Sequence, residues 1–101
     1  MSGATYDVVN PATEQLLSTV AMAGVAETDA AVACARRAFE TWRHVAPADR
    51  GRLLRRFAEQ VEDHLEELAQ LEVRNAGHTI ANARWEAGNV RDVLTYYSAA
   101  P

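Results

Sequence analysis

The stretch YDVVNPATEQLLSTVA, residues 6–21, decides how the rest of the chain is read. Tyr6 and Val8 alternate with their neighbours on one side of Asn10-Pro11-Ala12-Thr13, and Leu16, Ser18 and Val20 do so on the other. Such alternation marks half-buried strands. Pro11, whose ring fixes φ, beside a turn-tolerant Asn10 favours a reversal between them. The expectation is a hairpin over about residues 6–22, preceded by a small, polar, disordered tail over residues 1–5. Two strands alone are marginal in water, so this hairpin needs another surface to lie on.

Downstream the period changes from two to between three and four. Val32, Ala35, Phe39 and Trp42 line one face of a helix expected over about 25–44, with Glu27 and Asp29 near the positive end of its dipole. Pro47 ends that pattern and suits the first position of the next helix. The second helix is expected to run unbroken over 47–75. Leu54, Phe57, Ala58, Val61, Leu65, Leu68 and Glu72 follow its repeat, apolar until the last. Gly77 can take the left-handed conformation that stops it. Residues 79–98 read as one helix, or as two joined near Gly88-Asn89, with Val90, Val93, Leu94 and Tyr97 as the apolar stripe and Trp85 as a second anchor. The fold class is therefore mainly α with an N-terminal β-hairpin.

A chain of 101 residues is one domain at most and supports a modest core. Its 49% apolar and 24% charged residues are ordinary for a globular protein, which argues against disorder. The net charge of −4 argues against nucleic acid as a partner, because a phosphate backbone needs a basic face. Arg50, Arg52, Arg55 and Arg56 do cluster, but the acidic run Glu59, Glu62, Asp63, Glu66, Glu67 follows on the same segment. All ten cationic residues are arginine, as the codon bias of a GC-rich genome would give. No stretch approaches the ~20 apolar residues of a membrane span. With no signal-peptide pattern at the start, a cytoplasmic location is expected.

The side chains that could carry chemistry each have a plainer explanation. Cys34 sits among small residues in AVACARRAF with no His or Asp at helical spacing, which predicts a small core residue and not an activated thiolate. His44, His64 and His78 are too far apart to give the close ligand pair usual in zinc sites. His64 reads as an edge residue of the apolar face. Glu62-Asp63 and Glu66-Glu67 read as a solvated helix face. Trp42, Trp85, Tyr96 and Tyr97 read as core at helical spacing. The five glycines are scattered, and none forms a phosphate cradle between a strand and a helix. No residue is assigned a catalytic, cofactor-binding or metal-ligating role.

The order of the pieces is more distinctive than any one of them. NPAT, then LLSTVA, then the Phe39-x-x-Trp42 helix end, the Pro47-x-x-Arg50-x-x-Leu53-Leu54 helix start and the closing Tyr96-Tyr97 together resemble the amino-terminal region of the aldehyde dehydrogenase superfamily. The resemblance runs from about Tyr6 to Ser98. It implies the amino-terminal portion of an α/β aldehyde dehydrogenase-like fold, an incomplete part of the cofactor-binding domain over residues 6–101. The family oxidises aldehydes with NAD⁺ or NADP⁺ through a cysteine nucleophile. In relatives that cysteine, the activating glutamate and the nucleotide-binding strands come after this region, and Cys34 does not match the nucleophile. There are departures. Glu14-Gln15 replaces a common Gly-Glu, which predicts a changed turn. Asn75-Ala76-Gly77-His78-Thr79 stands where relatives often have an acidic residue followed by Asn-Gly-Lys-Pro. In some members that acid helps hold a monovalent cation, and Asn75 lacks its charge.

Two readings follow from this. In the first, the chain is an amino-terminal scaffold segment of an NAD(P)⁺-dependent aldehyde dehydrogenase. It would be inactive alone and bind no cofactor alone, and its partners would be the remainder of the enzyme and, as is usual in the family, further subunits. In the second, it is an autonomous helical protein-interaction module.

Overall fold

The structure is a computed structural model and describes residues 3–100. Its elements run β1 (Thr5–Val9), β2 (Leu16–Ala21), α1 (Val25–Trp42), α2 (Pro47–Asp63), α3 (Leu65–Ala76) and α4 (Ile80–Tyr97). The class is mainly α with a leading hairpin, as the periodicity requires.

β1 and β2 pair antiparallel, with Tyr6 opposite Val20 and Val8 opposite Ser18, and an irregularity between Val8 and Val9 brings Val9 against Leu16. Asn10 organises the turn from both its backbone and its side chain. Its Oδ1 accepts from the Ala12 N–H at 2.9 Å. Its carbonyl accepts from the Glu14 N–H at 2.8 Å, and its own N–H donates to the Gln15 carbonyl at 2.9 Å. Glu14 closes this loop with φ of 60°, the one described residue other than glycine in the left-handed region. The turn thus demands a glycine-like conformation and a glutamate supplies it, at a cost of about 1–2 kcal/mol. Of the expected tail, residues 1 and 2 lie outside the described residues. Thr5 belongs to β1, and the Ala4 carbonyl accepts from the Met22 N–H at 2.9 Å.

Gly24 precedes α1 and donates its N–H to Glu27 Oε2 at 2.9 Å, the backward half of a capping box. Glu27 lies in the first turn, whereas Asp29 falls just beyond it. Pro47 opens α2 and Asp49 follows in the same turn. The long helix expected over 47–75 is in fact two. His64 leaves helical geometry at φ −109° and ψ 15°, and α3 begins at Leu65. No proline or glycine causes this break. Glu66 and Glu67 form an acidic first turn for α3, and His64 Nδ1 lies 3.0 Å from Glu67 Oε2. α3 stops at Gly77, whose φ is 76° and whose N–H donates to the Val73 carbonyl at 3.0 Å. α4 runs through Gly88-Asn89 as a single helix of 18 residues.

Packing is confined to one corner of the molecule. α4 lies against both α2 and α3, while α1 has no comparable neighbour. The core there is built from small residues: Ala58, Val61, Ala69, Ala83 and Ala87, with Gly51 and Ser98 buried beside them. A Cβ on Gly51 would fall on the Ser98 carbonyl oxygen, so the start of α2 and the end of α4 meet backbone to backbone. The hairpin turn touches the rest at Gly77, where an added Cβ would lie 2.8 Å from Pro11 Cγ. The result is a slab of 47 × 38 × 16 Å with a radius of gyration of 17.5 Å. A compact chain of this length would have a radius of about 13 Å. The accessible surface of 7658 Å² likewise exceeds, by roughly 2,000 Å², that of a folded monomer of this mass.

Candidate functional site

The large apolar side chains face outward. Phe39 is 55% exposed, Trp42 44% and Trp85 69%. Tyr96 and Tyr97 are exposed too, with their rings edge to face at 5.2 Å. The expectation that these aromatics form a core is therefore overturned: α4 closes on Ala83 and Ala87 and leaves Trp85, Tyr96 and Tyr97 outside, and α1, which carries Trp42, buries no residue. Cys34 is also exposed and not a core residue, since α1 buries none of its residues.

The acids expected on a solvated face are exposed, and two of them, Glu62 and Glu66, also tie helices together. Glu66 of α3 accepts two hydrogen bonds from the Arg84 guanidinium of α4, at 2.8 and 2.9 Å. Arg84, and Gln70 after it, hold the Glu66 carboxyl down to about 2 from its ordinary 4.5. Glu62 of α2 meets Arg91 of α4, which also holds Asp92 at 2.8 Å. These pairs are exposed on the rim, where they add specificity of docking more than energy. Of the basic cluster, Arg52 pairs with Asp49, and Arg55 donates to Ser98 Oγ at 3.4 Å.

The histidines are distributed as their spacing implies. His44 follows α1 and His64 marks the α2–α3 break. His78 differs, because the turn at Gly77 folds it between two helices. Its Nδ1 lies 2.8 Å from Glu86 Oε2 of α4 and 3.7 Å from Glu72 Oε1 of α3. One donor atom from each of the three residues falls within 4.8 Å of the others. This juxtaposition was hidden in the sequence because it crosses a turn. Its one trace was Glu72, an acid where the helical repeat called for an apolar residue. Beside it runs an apolar groove of about 490 Å³, lined by Phe57, Val61, Leu68, Ala83, Ala87 and Val90, with Glu72 and Glu86 at its edge.

A dinucleotide finds no G-x-G-x-x-G turn among the described residues. Its phosphates need backbone N–H groups that glycines leave open at a strand-to-helix turn. Here the close approaches at Gly51 and Gly77 are already filled by Ser98 and Pro11. No helix among the described residues is long and apolar enough to cross a membrane.

The ordered set of elements has a clear counterpart among known proteins. The model of the aldehyde dehydrogenase family matches residues 1–101, and the chain belongs to that family. It is 35% identical over 99 residues to an aldehyde dehydrogenase of Emericella nidulans, covering 97% of this chain and 20% of that one. It is 46% identical over 77 residues to the cytosolic 10-formyltetrahydrofolate dehydrogenase of Xenopus tropicalis, covering 74% of this chain and 8% of that one. Among solved structures, PnpE from Pseudomonas sp. WBC-3 superposes with a TM-score of 0.94 at 40% identity, over 98% of this chain and 20% of that one. PnpE has also been solved with nicotinamide adenine dinucleotide, and that structure superposes with a TM-score of 0.93. The chain thus spans a fifth or less of the length of these relatives.

Proposed function

We propose that residues 1–101 serve as the amino-terminal scaffold of an NAD(P)⁺-dependent aldehyde dehydrogenase and carry none of its catalytic or cofactor-binding groups. One observation supports this above others: the apolar face of α1, with Val32, Phe39 and Trp42, is exposed and has no helix against it. An amphipathic helix of 18 residues with no buried residue has its stabilising surface somewhere beyond these elements. The excess of roughly 2,000 Å² of surface is ample for such a contact, since a standard interface takes about 800 Å² per side. In this role the hairpin and α1 lie on the remainder of the dehydrogenase. Aldehyde oxidation needs a nucleophile and a hydride acceptor. Exposed Cys34, on a helix with no base beside it, supplies neither.

Thermal unfolding of residues 1–101, followed by near- and far-ultraviolet circular dichroism with size-exclusion chromatography, tests the proposal. A helical far-ultraviolet signal without a cooperative aromatic transition, accompanied by association, is the expected result. A sharp transition in both signals from a monodisperse species would sink it and favour the autonomous interaction module.

A further inference from the structure

We propose that Glu72, His78 and Glu86 bind one divalent cation of the zinc class between α3 and α4. The first argument is geometric. Zinc holds imidazole nitrogen at about 2.0–2.1 Å and carboxylate oxygen at about 2.0–2.2 Å, so ligand atoms around one ion sit roughly 3.3 Å apart. His78 Nδ1 is already 2.8 Å from Glu86 Oε2 and 3.7 Å from Glu72 Oε1. With all three ligand atoms within 4.8 Å of one another, side-chain shifts of about 1–1.5 Å admit the ion, with water completing its shell on the open side. The second argument is charge. Glu62 and Glu66 each face an arginine from α4, but among the described residues no arginine pairs with Glu72 or Glu86. The chain contains no lysine. Two carboxylates therefore converge on one imidazole, and even a protonated ring leaves a negative excess. A divalent ion removes it.

The donor set also selects the metal. An imidazole with carboxylates suits zinc and its transition-metal neighbours, whereas magnesium and calcium prefer oxygen alone. His78 is held in place by its surroundings: Gly77 before it is fixed in the left-handed region against Pro11, and the carbonyl of Thr79 after it accepts from the Ala83 N–H at the start of α4. A bound ion would clamp the α3–α4 turn on which the hairpin rests, and would stabilise the fold by mass action. The site draws on α3, the turn after it and α4, and does not involve the α1 face that supports the scaffold role.

The test is calorimetric titration of zinc chloride into residues 1–101 carrying Cys34→Ser, which removes a competing thiol. One saturable equivalent is expected, with no comparable uptake of magnesium chloride. His78→Lys keeps a cation between the two acids but cannot ligate zinc while its ammonium is protonated. It should weaken binding at least tenfold, as should Glu86→Gln, while the far-ultraviolet spectrum stays unchanged. His44→Gln and His64→Gln should leave binding intact. Absent or non-stoichiometric uptake by chain whose α3–α4 amides are protected from hydrogen exchange overturns the proposal. So does uptake that His78→Lys leaves unchanged, or that follows His44 or His64.

Discussion

α1 and the α2–α4 corner begin from the same sequence property and end differently. Both carry apolar residues every three or four positions, and both read as amphipathic helices. α2 buries Gly51, Ala58 and Val61 against α4, while α1 buries no residue at all. The difference lies in the size of the side chains at the contact. Alanine and glycine let α2, α3 and α4 approach closely within this short chain. The Phe39 and Trp42 stripe of α1 needs a broad apolar surface, and none of the described elements offers one. Periodicity identifies which face seeks burial. It does not say where the partner is encoded.

The largest expected effect is on the closed corner. Gly51→Ala places a methyl group on the Ser98 carbonyl oxygen, which is backbone and cannot rotate away. Forcing α2 and α4 apart in this way should cost about 2–3 kcal/mol, in the range for overpacked contacts. Amide hydrogen exchange in α2 and α4 should then quicken by well over tenfold, with α1 unaffected. If α2 and α4 keep their protection, the backbone contact does not hold the corner together.

Next comes the hairpin, which resembles α1 in burying almost nothing. Glu14→Gly removes the strain of a left-handed glutamate and should stabilise the turn by about 1 kcal/mol. Exchange at the β1–β2 amides should slow about fivefold, and unchanged exchange would mean that Glu14 is unstrained. Glycine's greater freedom in the unfolded chain sets a ceiling on this gain.

A smaller effect should follow pH. The Glu66 carboxyl is held at about 2 in the folded chain against an ordinary 4.5. A lowered folded pKa means that the Glu66–Arg84 contact contributes fully above about 4.5 and is lost as pH falls toward 2. Helical signal in the wild type should therefore exceed that of Glu66→Gln at neutral pH and converge with it near the acid end. Added salt should narrow the gap, since the pair is exposed. A gap independent of pH would show that the contact does not act through charge.

These contrasts also mark what could be read from the residues alone. Hairpin, helices and family order were legible because period and turn residues are local. The break at His64 was not, since Leu65 and Leu68 continue the apolar repeat straight across it. Only Glu66-Glu67, an acidic first turn, hinted at a new start. The left-handed conformation at residue 14 was not legible either, because it depends on the hydrogen bonds that Asn10 makes to Glu14 and Gln15 across the turn. The Glu72–His78–Glu86 cluster and the outward aromatics were invisible because each depends on which face meets which helix. That is tertiary information, and spacing does not carry it.

The smallest effect is the sharpest test of the opening comparison. Phe39 is 55% exposed on a helix that buries no residue, so Phe39→Ser removes no buried contact. Exchange protection in α2, α3 and α4 should change by less than about 0.5 kcal/mol, as for a surface substitution. Binding of a hydrophobic dye to residues 1–101 should fall, because the substitution interrupts an exposed apolar stripe. Ala58→Ser offers the matched control, since it puts a hydroxyl into the buried α2–α4 contact and should weaken protection there. If Phe39→Ser instead loosens α2–α4, then α1 folds back on the bundle in solution. The two regions would then form one core, and the unpartnered face that supports the scaffold role would disappear.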